Sequence, residues 1–96
     1  MPQPTAEQRL HAVVRGRVQG VGFRAYVRAR GAALGLCGWV RNTPEGHVEV
    51  VGEGPPGALR DLLVALRTGP PAAIVTDVEV DWDPPRGEPS GFRVRF

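Results

Sequence analysis

The sequence predicts an α+β fold in which two helices cover one face of an antiparallel sheet. Two segments carry apolar residues at helical spacing, and the segments around them alternate or run apolar over strand lengths. Their order is β-α-β-β-α-β, with an additional short strand at the end. The chain has 96 residues, which supports a single domain over 1–96 with one modest core.

Residues 1–9 read as a polar, proline-containing, flexible leader. Leu10 to Val18 is mostly apolar or arginine and forms the first strand. Gln19 to Phe23 (QGVGF) is a glycine-punctuated turn. Phe23 to Leu34 reads as a helix, with Phe23, Val27, Arg30 and Leu34 on one face and Tyr26 and Ala33 flanking it. Gly31 weakens that helix by about 1 kcal/mol relative to alanine, and Gly35 ends it.

Leu36 to Thr43 and His47 to Gly52 are two short strands, joined through the turn residues Thr43-Pro44-Glu45-Gly46. Leu59, Leu62, Leu63 and Leu66 follow the i, i+3, i+4, i+7 pattern of a helix, with prolines before it and Gly69-Pro70-Pro71 after it. Ile74, Thr76, Val78, Val80 and Trp82 then alternate with Val75, Asp77, Glu79, Asp81 and Asp83, so one face is buried and one is acidic. After a proline-rich loop, Phe92, Val94 and Phe96 alternate with Arg93 and Arg95 in a closing strand whose aromatic end ties the chain down. Strands with one apolar face and two helices bury everything as a ferredoxin-like α/β sandwich, with both crossover helices on the same side.

Composition narrows function by exclusion. Net charge is +2, too small for a nucleic-acid footprint, so no nucleic-acid partner is expected despite a pI near 9.5. All 12 cationic residues are arginine. Without lysine, a P-loop nucleotide site, a pyridoxal Schiff base and a lysine general base are all impossible. Cys37 is alone, and His11 and His47 have no ligand-type spacing, so no disulfide, metal or cofactor is expected. No signal-peptide or membrane-spanning run occurs, which points to the cytoplasm and away from a membrane.

Two stretches carry chemistry. In VRGRVQGVGFR (14–24), Gly16, Gly20 and Gly22 fall at a strand-to-helix junction, where backbone N–H groups can turn inward as an anion nest. The helix beginning near Phe23 adds its dipole and free amides. Arg24 lies in the first helical turn, where the dipole disfavours a cation unless an anion is bound beside it. Its planar fork suits two oxygens of a phosphate or carboxylate. A glycine-rich turn followed by a solvated arginine is the plainer alternative. In GWVRNTPEGHVEVVGEG (38–54), strand-averse Asn42 ends an apolar strand, where its amide can bond both a water and an oxyanion. The plainer alternative is that Asn42 merely opens a turn.

Taken together, the two stretches resemble the signatures of the acylphosphatase family. The family's Gly-x-Val-Gln-Gly-Val-x-Phe-Arg segment is matched by Gly16 to Arg24 without a mismatch. Its Gly-aromatic-Val-Arg-Asn segment and following Gly-x-Val-Glu hairpin are matched by Gly38 to Asn42 and Gly46 to Glu49. The resemblance covers nearly the whole chain from residue 10 onward. It implies an enzyme that hydrolyses the carboxyl–phosphate bond of small acyl phosphates to a carboxylate and inorganic phosphate, independently of metal or cofactor. It further implies Arg24 as the phosphate-binding arginine, with the backbone of Gln19, Gly20, Val21, Gly22, Phe23 and Arg24 as the phosphate-binding loop. Asn42 matches the asparagine that positions the attacking water. Phosphate or sulfate is expected at the loop and the protein is expected to be a monomer.

Other conspicuous residues read as structural. Trp39 and Trp82 are expected in the core, Cys37 as a small buried hydrophobe, and His11 and His47 as strand residues. The acidic row Asp77, Glu79, Asp81 and Asp83 reads as a solvated edge. RNA-recognition domains share the element order but stack bases on strand aromatics, and His11 to Val18 and His47 to Gly52 contain no Phe, Tyr or Trp. A non-catalytic ferredoxin-like module binding a small regulatory molecule is the alternative function, though it does not need both signatures. A module of a larger, carbamoyl-phosphate-using maturation protein is a third, against which Met1 and the end at Phe96 favour a free-standing enzyme.

Overall fold

The computed structural model describes residues 7–96, so most of the expected leader lies outside the described residues. The elements are β1 (Gln8–Arg17), α1 (Phe23–Ala33), β2 (Cys37–Asn42), β3 (Val48–Gly54), α2 (Pro56–Thr68), β4 (Ile74–Asp83) and β5 (Phe92–Arg95). β1 begins two residues before its apolar run, because Gln8 and Arg9 pair with Gly54 and Glu53 of β3.

The sheet order is β4-β1-β3-β2-β5. β1 pairs antiparallel with both β3 and β4, and β2 pairs antiparallel with β3. β5 joins β2 in parallel, so the sheet is mixed rather than wholly antiparallel. The cause is the route of residues 84–91, which leave β4 at one edge and reach the opposite edge along the same end of the sheet. A strand returning from that end must run against β4, and that is the direction of β2.

One face of the sheet carries the core. Leu10, Ala12 and Val14 of β1, Val40 of β2 and Val48 and Val50 of β3 meet Phe23 and Val27 of α1 and Leu59, Leu62 and Leu66 of α2. Each fully buried leucine contributes roughly 1.5–3 kcal/mol by leaving water. On α1 the buried row is Phe23, Val27 and Gly31, and Arg30, which the helical spacing assigns to that face, is exposed.

Gly31 is therefore a packing residue rather than a mere weakness in the helix. A methyl group there would overlap the ring of buried Phe92 on β5. Gly→Ala inside a helix ordinarily gains about 1 kcal/mol. Here Gly31→Ala is expected to lower stability by ~1–3 kcal/mol, the usual cost of overpacking. Urea denaturation checks the sign, and a gain in midpoint would mean that Phe92 yields freely.

The alternation expected along β4 is broken. Arg15 pairs with Asp77 but Gly16 pairs with Val75, and Thr76 is left over as a bulge. Gly16 allows this with φ 127, and a Cβ there would overlap the carbonyl of Ile74. The bulge turns Val75 toward the core and Ile74 out to solvent. Trp82, opposite Leu10 but on the outermost strand, is also exposed rather than core.

Among the described residues, the other face of the sheet has no helix and is laced by charge. Arg15 of β1 bonds Asp77 and Glu79 of β4, and Asp83 lies 4.0 Å from Arg86, so the acidic row is largely paired rather than simply solvated. Glu49 of β3 accepts from His11 at 2.7 Å and from Arg41. Burial by itself would raise the Glu49 pKa, but these two partners outweigh it and hold it below its ordinary range. Trp39 is buried on this face, outside the helix-covered core, with the Arg95 guanidinium 4.4 Å from its ring centroid. Cys37 is a half-buried free thiol. Arg93 and Arg95 lie at the edge opposite β4 and cannot balance its acidic row.

Candidate active site

The topology brings three strand ends to one end of the sheet. β1 leaves it there into α1, β2 finishes there at Asn42, and β5 finishes there before Phe96. Gly20 and Gly22 have φ 74 and φ 77, so both lie in the left-handed region that favours glycine. A Cβ at either would meet nothing within 4 Å, so conformation and not space is what demands glycine here.

Gly22 is also the N-cap of α1, with no side-chain cap and no acidic residue in the first turn. The positive end of the helix dipole is therefore not neutralised by the helix itself, and Arg24 adds a further charge beside it. Loop and helix together form an electropositive concavity suited to an anion.

That concavity is a pocket of about 290 Å³. It is lined by Gly20, Gly22, Phe23 and Arg24 together with Asn42 from β2. Pairing of Asn42 with Val48 and alternation from Val40 put Asn42 on the helix-covered side of the sheet, facing the start of α1. Arg24 is half-buried, and its guanidinium lies 5.1 Å from the centroid of the Phe96 ring.

Two residues of the expected loop stand apart from the pocket lining. The Gln19 side chain turns away, and its Nε2 donates to the carbonyls of Thr43 and His47, both at 2.9 Å. It thereby ties the glycine loop to the hairpin that follows Asn42. Val21 packs against the core. Conversely, Val18, Ala25, Val94 and Phe96 line the pocket although no local pattern in the sequence marks them for it. Val94 on β5 alternates with Phe96 just beyond it, but only the parallel pairing of β5 with β2 brings them beside Asn42. Phe96 is exposed rather than tied down as the closing-strand pattern predicts, because β5 ends at Arg95.

Comparison with known proteins bears on family and fold. The chain matches the acylphosphatase family model over residues 10–94. It is 47% identical over 89 residues to the acylphosphatase of Salinibacter ruber, covering 93% of this chain and 94% of that one. Among solved structures it superposes on acylphosphatase from Bacillus subtilis with TM-score 0.89 at 36% identity, covering 93% of this chain and 99% of the other. An acylphosphatase from Coxiella burnetii gives TM-score 0.87 at 40% identity, covering 94% of each chain. A family match across nearly all described residues, a relative nearly half identical and the shared ferredoxin-like fold lead to one conclusion: this chain belongs to the acylphosphatase family.

Proposed function

We propose that the chain performs its family's hydrolysis of acyl phosphates with the phosphoryl group held by the Gln19–Arg24 loop and the attacking water directed by Asn42. What supports this reading most is that Arg24 and Asn42 line one pocket with Gly20 and Gly22. The loop amides and the α1 N-terminus meet the phosphoryl oxygens, and the Arg24 fork bridges two of them. The Asn42 side-chain amide accepts from a water and aims its oxygen at phosphorus. The water–phosphorus bond forms as the phosphorus–acyl oxygen bond breaks. A carboxylate leaves with the bonding pair, and the water proton passes to a phosphoryl oxygen. Because a carboxylate leaves easily, positioning and charge stabilisation carry the rate, and no protein base is required.

The reading is metal-free and monomeric, at a phosphate site open to inorganic phosphate or sulfate. Among the described residues, no three His, Cys, Asp or Glu side chains converge as metal ligands. No helix there is long and apolar enough to cross a membrane. A lone free cysteine is compatible with a cytoplasmic setting. The deciding assay is hydrolysis of acetyl or benzoyl phosphate in the presence of a chelator. Full activity is expected. Activity lost to chelator and restored by magnesium would sink the metal-free mechanism.

A further inference from the structure

The pocket is polar over only part of its lining. Among the described residues that line it, Arg24 is the one charged side chain and Asn42 the one amide, whereas Val18, Phe23, Ala25, Val94 and Phe96 are apolar. Phe23 is spent on the core, and Val94 packs partly against it. Phe96 is different. It lies outside the core, its ring is exposed to solvent, and the guanidinium of Arg24 rests 5.1 Å from its centroid.

An acyl phosphate is amphiphilic, with its dianion and its acyl group joined through one oxygen. If Arg24 holds the dianion, the acyl group must lie within a few ångströms of the ring that Arg24 touches. We infer that Phe96, with Val94, forms an acyl subsite that selects apolar and aromatic acyl groups, an inference that rests on the hydrolytic reading above. A second acyl carboxylate would compete with the phosphoryl group for Arg24. An acyl ammonium would meet the like charge of Arg24. An aryl or alkyl group meets neither penalty and shields the Phe96 ring from water.

The test compares kcat/KM for benzoyl phosphate and acetyl phosphate in wild type, Phe96→Ala and Phe96→Leu. Intrinsic reactivity of the two substrates is constant across proteins, so it cancels when their ratio is followed. Any shared loss transmitted through Arg24 cancels as well. An apolar contact discriminates by ~10–200-fold for as little as one methylene, and an open wall belongs at the low end. The benzoyl-to-acetyl ratio is expected to fall about 10-fold in Phe96→Ala and by less in Phe96→Leu. An unchanged ratio in Phe96→Ala would overturn the subsite, with Phe96 then serving only Arg24 if both rates drop together.

Calorimetric titration with phenylphosphonate and methylphosphonate reads the same preference without turnover. A wild-type preference for phenylphosphonate that disappears in Phe96→Ala supports the subsite even if neither acyl phosphate is hydrolysed, in which case the hydrolytic reading fails alone. Equal affinities for the two phosphonates in wild type overturn the subsite and leave that reading standing.

Discussion

Arg24→Ala is expected to lose turnover and phosphate binding together, whereas Asn42→Ala loses turnover while phosphate still binds. In the proposed mechanism the guanidinium meets the phosphoryl oxygens in ground state and transition state alike, so its removal weakens both substrate and product. Asn42 is proposed to act on the water, which is absent from a bound phosphate. Removal of one preorganised donor at a charge-developing site costs ~10²–10³ in rate, and each variant is expected to fall at least that far. Steady-state hydrolysis with inorganic phosphate as product inhibitor separates the two roles. Asn42→Ala retaining most of the wild-type rate would reduce Asn42 to the residue that opens the hairpin.

The largest stability effect is expected at the opposite end of the sheet, at Glu53. Its carboxylate accepts from the backbone N–H of Arg86 at 2.7 Å, Gly87 at 3.1 Å and Glu88 at 2.9 Å. It also accepts from the Arg9 guanidinium at 2.7 Å. Residues 86–88 thus wrap an internal anion and fix the long crossing from β4 to β5. Burial of Glu53, whose side chain is 6% exposed, would by itself raise its pKa. The bonds from Arg86, Glu88 and Arg9 outweigh burial and bring the pKa from 4.5 down to about 2.

The folded pKa lies below the unfolded one, so the stability is present above about pH 4.5 and is lost as pH falls toward 2. Its size is about 3 kcal/mol. Glu53→Gln removes the charge but keeps one acceptor. At neutral pH the variant is expected to melt roughly 10–25 °C below wild type, at 4–8 °C per kcal/mol. The gap should close as pH approaches 2. Melting curves that stay parallel from pH 7 to pH 2 would show that Glu53 is not held as an anion.

Elements with a strong internal period were legible in the sequence, and α2 is the clearest case. Its buried residues Leu59, Leu62 and Leu66 are those the spacing selects. The loop and Asn42 were legible as well, because glycine conformations and a strand-ending asparagine are local features. What depends on which strand lies beside which was not. The parallel entry of β5 leaves no trace in the alternation of Phe92 and Val94, yet it decides that Phe96 and not Trp82 stands beside the pocket. The β4 bulge is set by Gly16 on another strand. Gly31 looks like a helix defect until Phe92 is found against it, and the Gln19 side chain joins a motif whose spacing cannot reveal that it bonds the neighbouring hairpin.

In the proposed mechanism Arg24 and the Gln19–Arg24 amides hold the phosphoryl group while Asn42 does not. Thermal denaturation of wild type, Arg24→Ala and Asn42→Ala across a series of phosphate concentrations tests it most directly. Phosphate that binds only the folded chain adds about 1.4 kcal/mol at ten times its Kd and about 2.7 at a hundred times. The corresponding shift is several degrees for a domain of this size. Anions excluded from protein surfaces stabilise all three proteins alike, without saturating in the low millimolar range. Wild type and Asn42→Ala should therefore show an additional, saturating gain at low-millimolar phosphate that Arg24→Ala lacks. Equal and unsaturating gains in all three proteins would mean that no phosphate site exists at this loop.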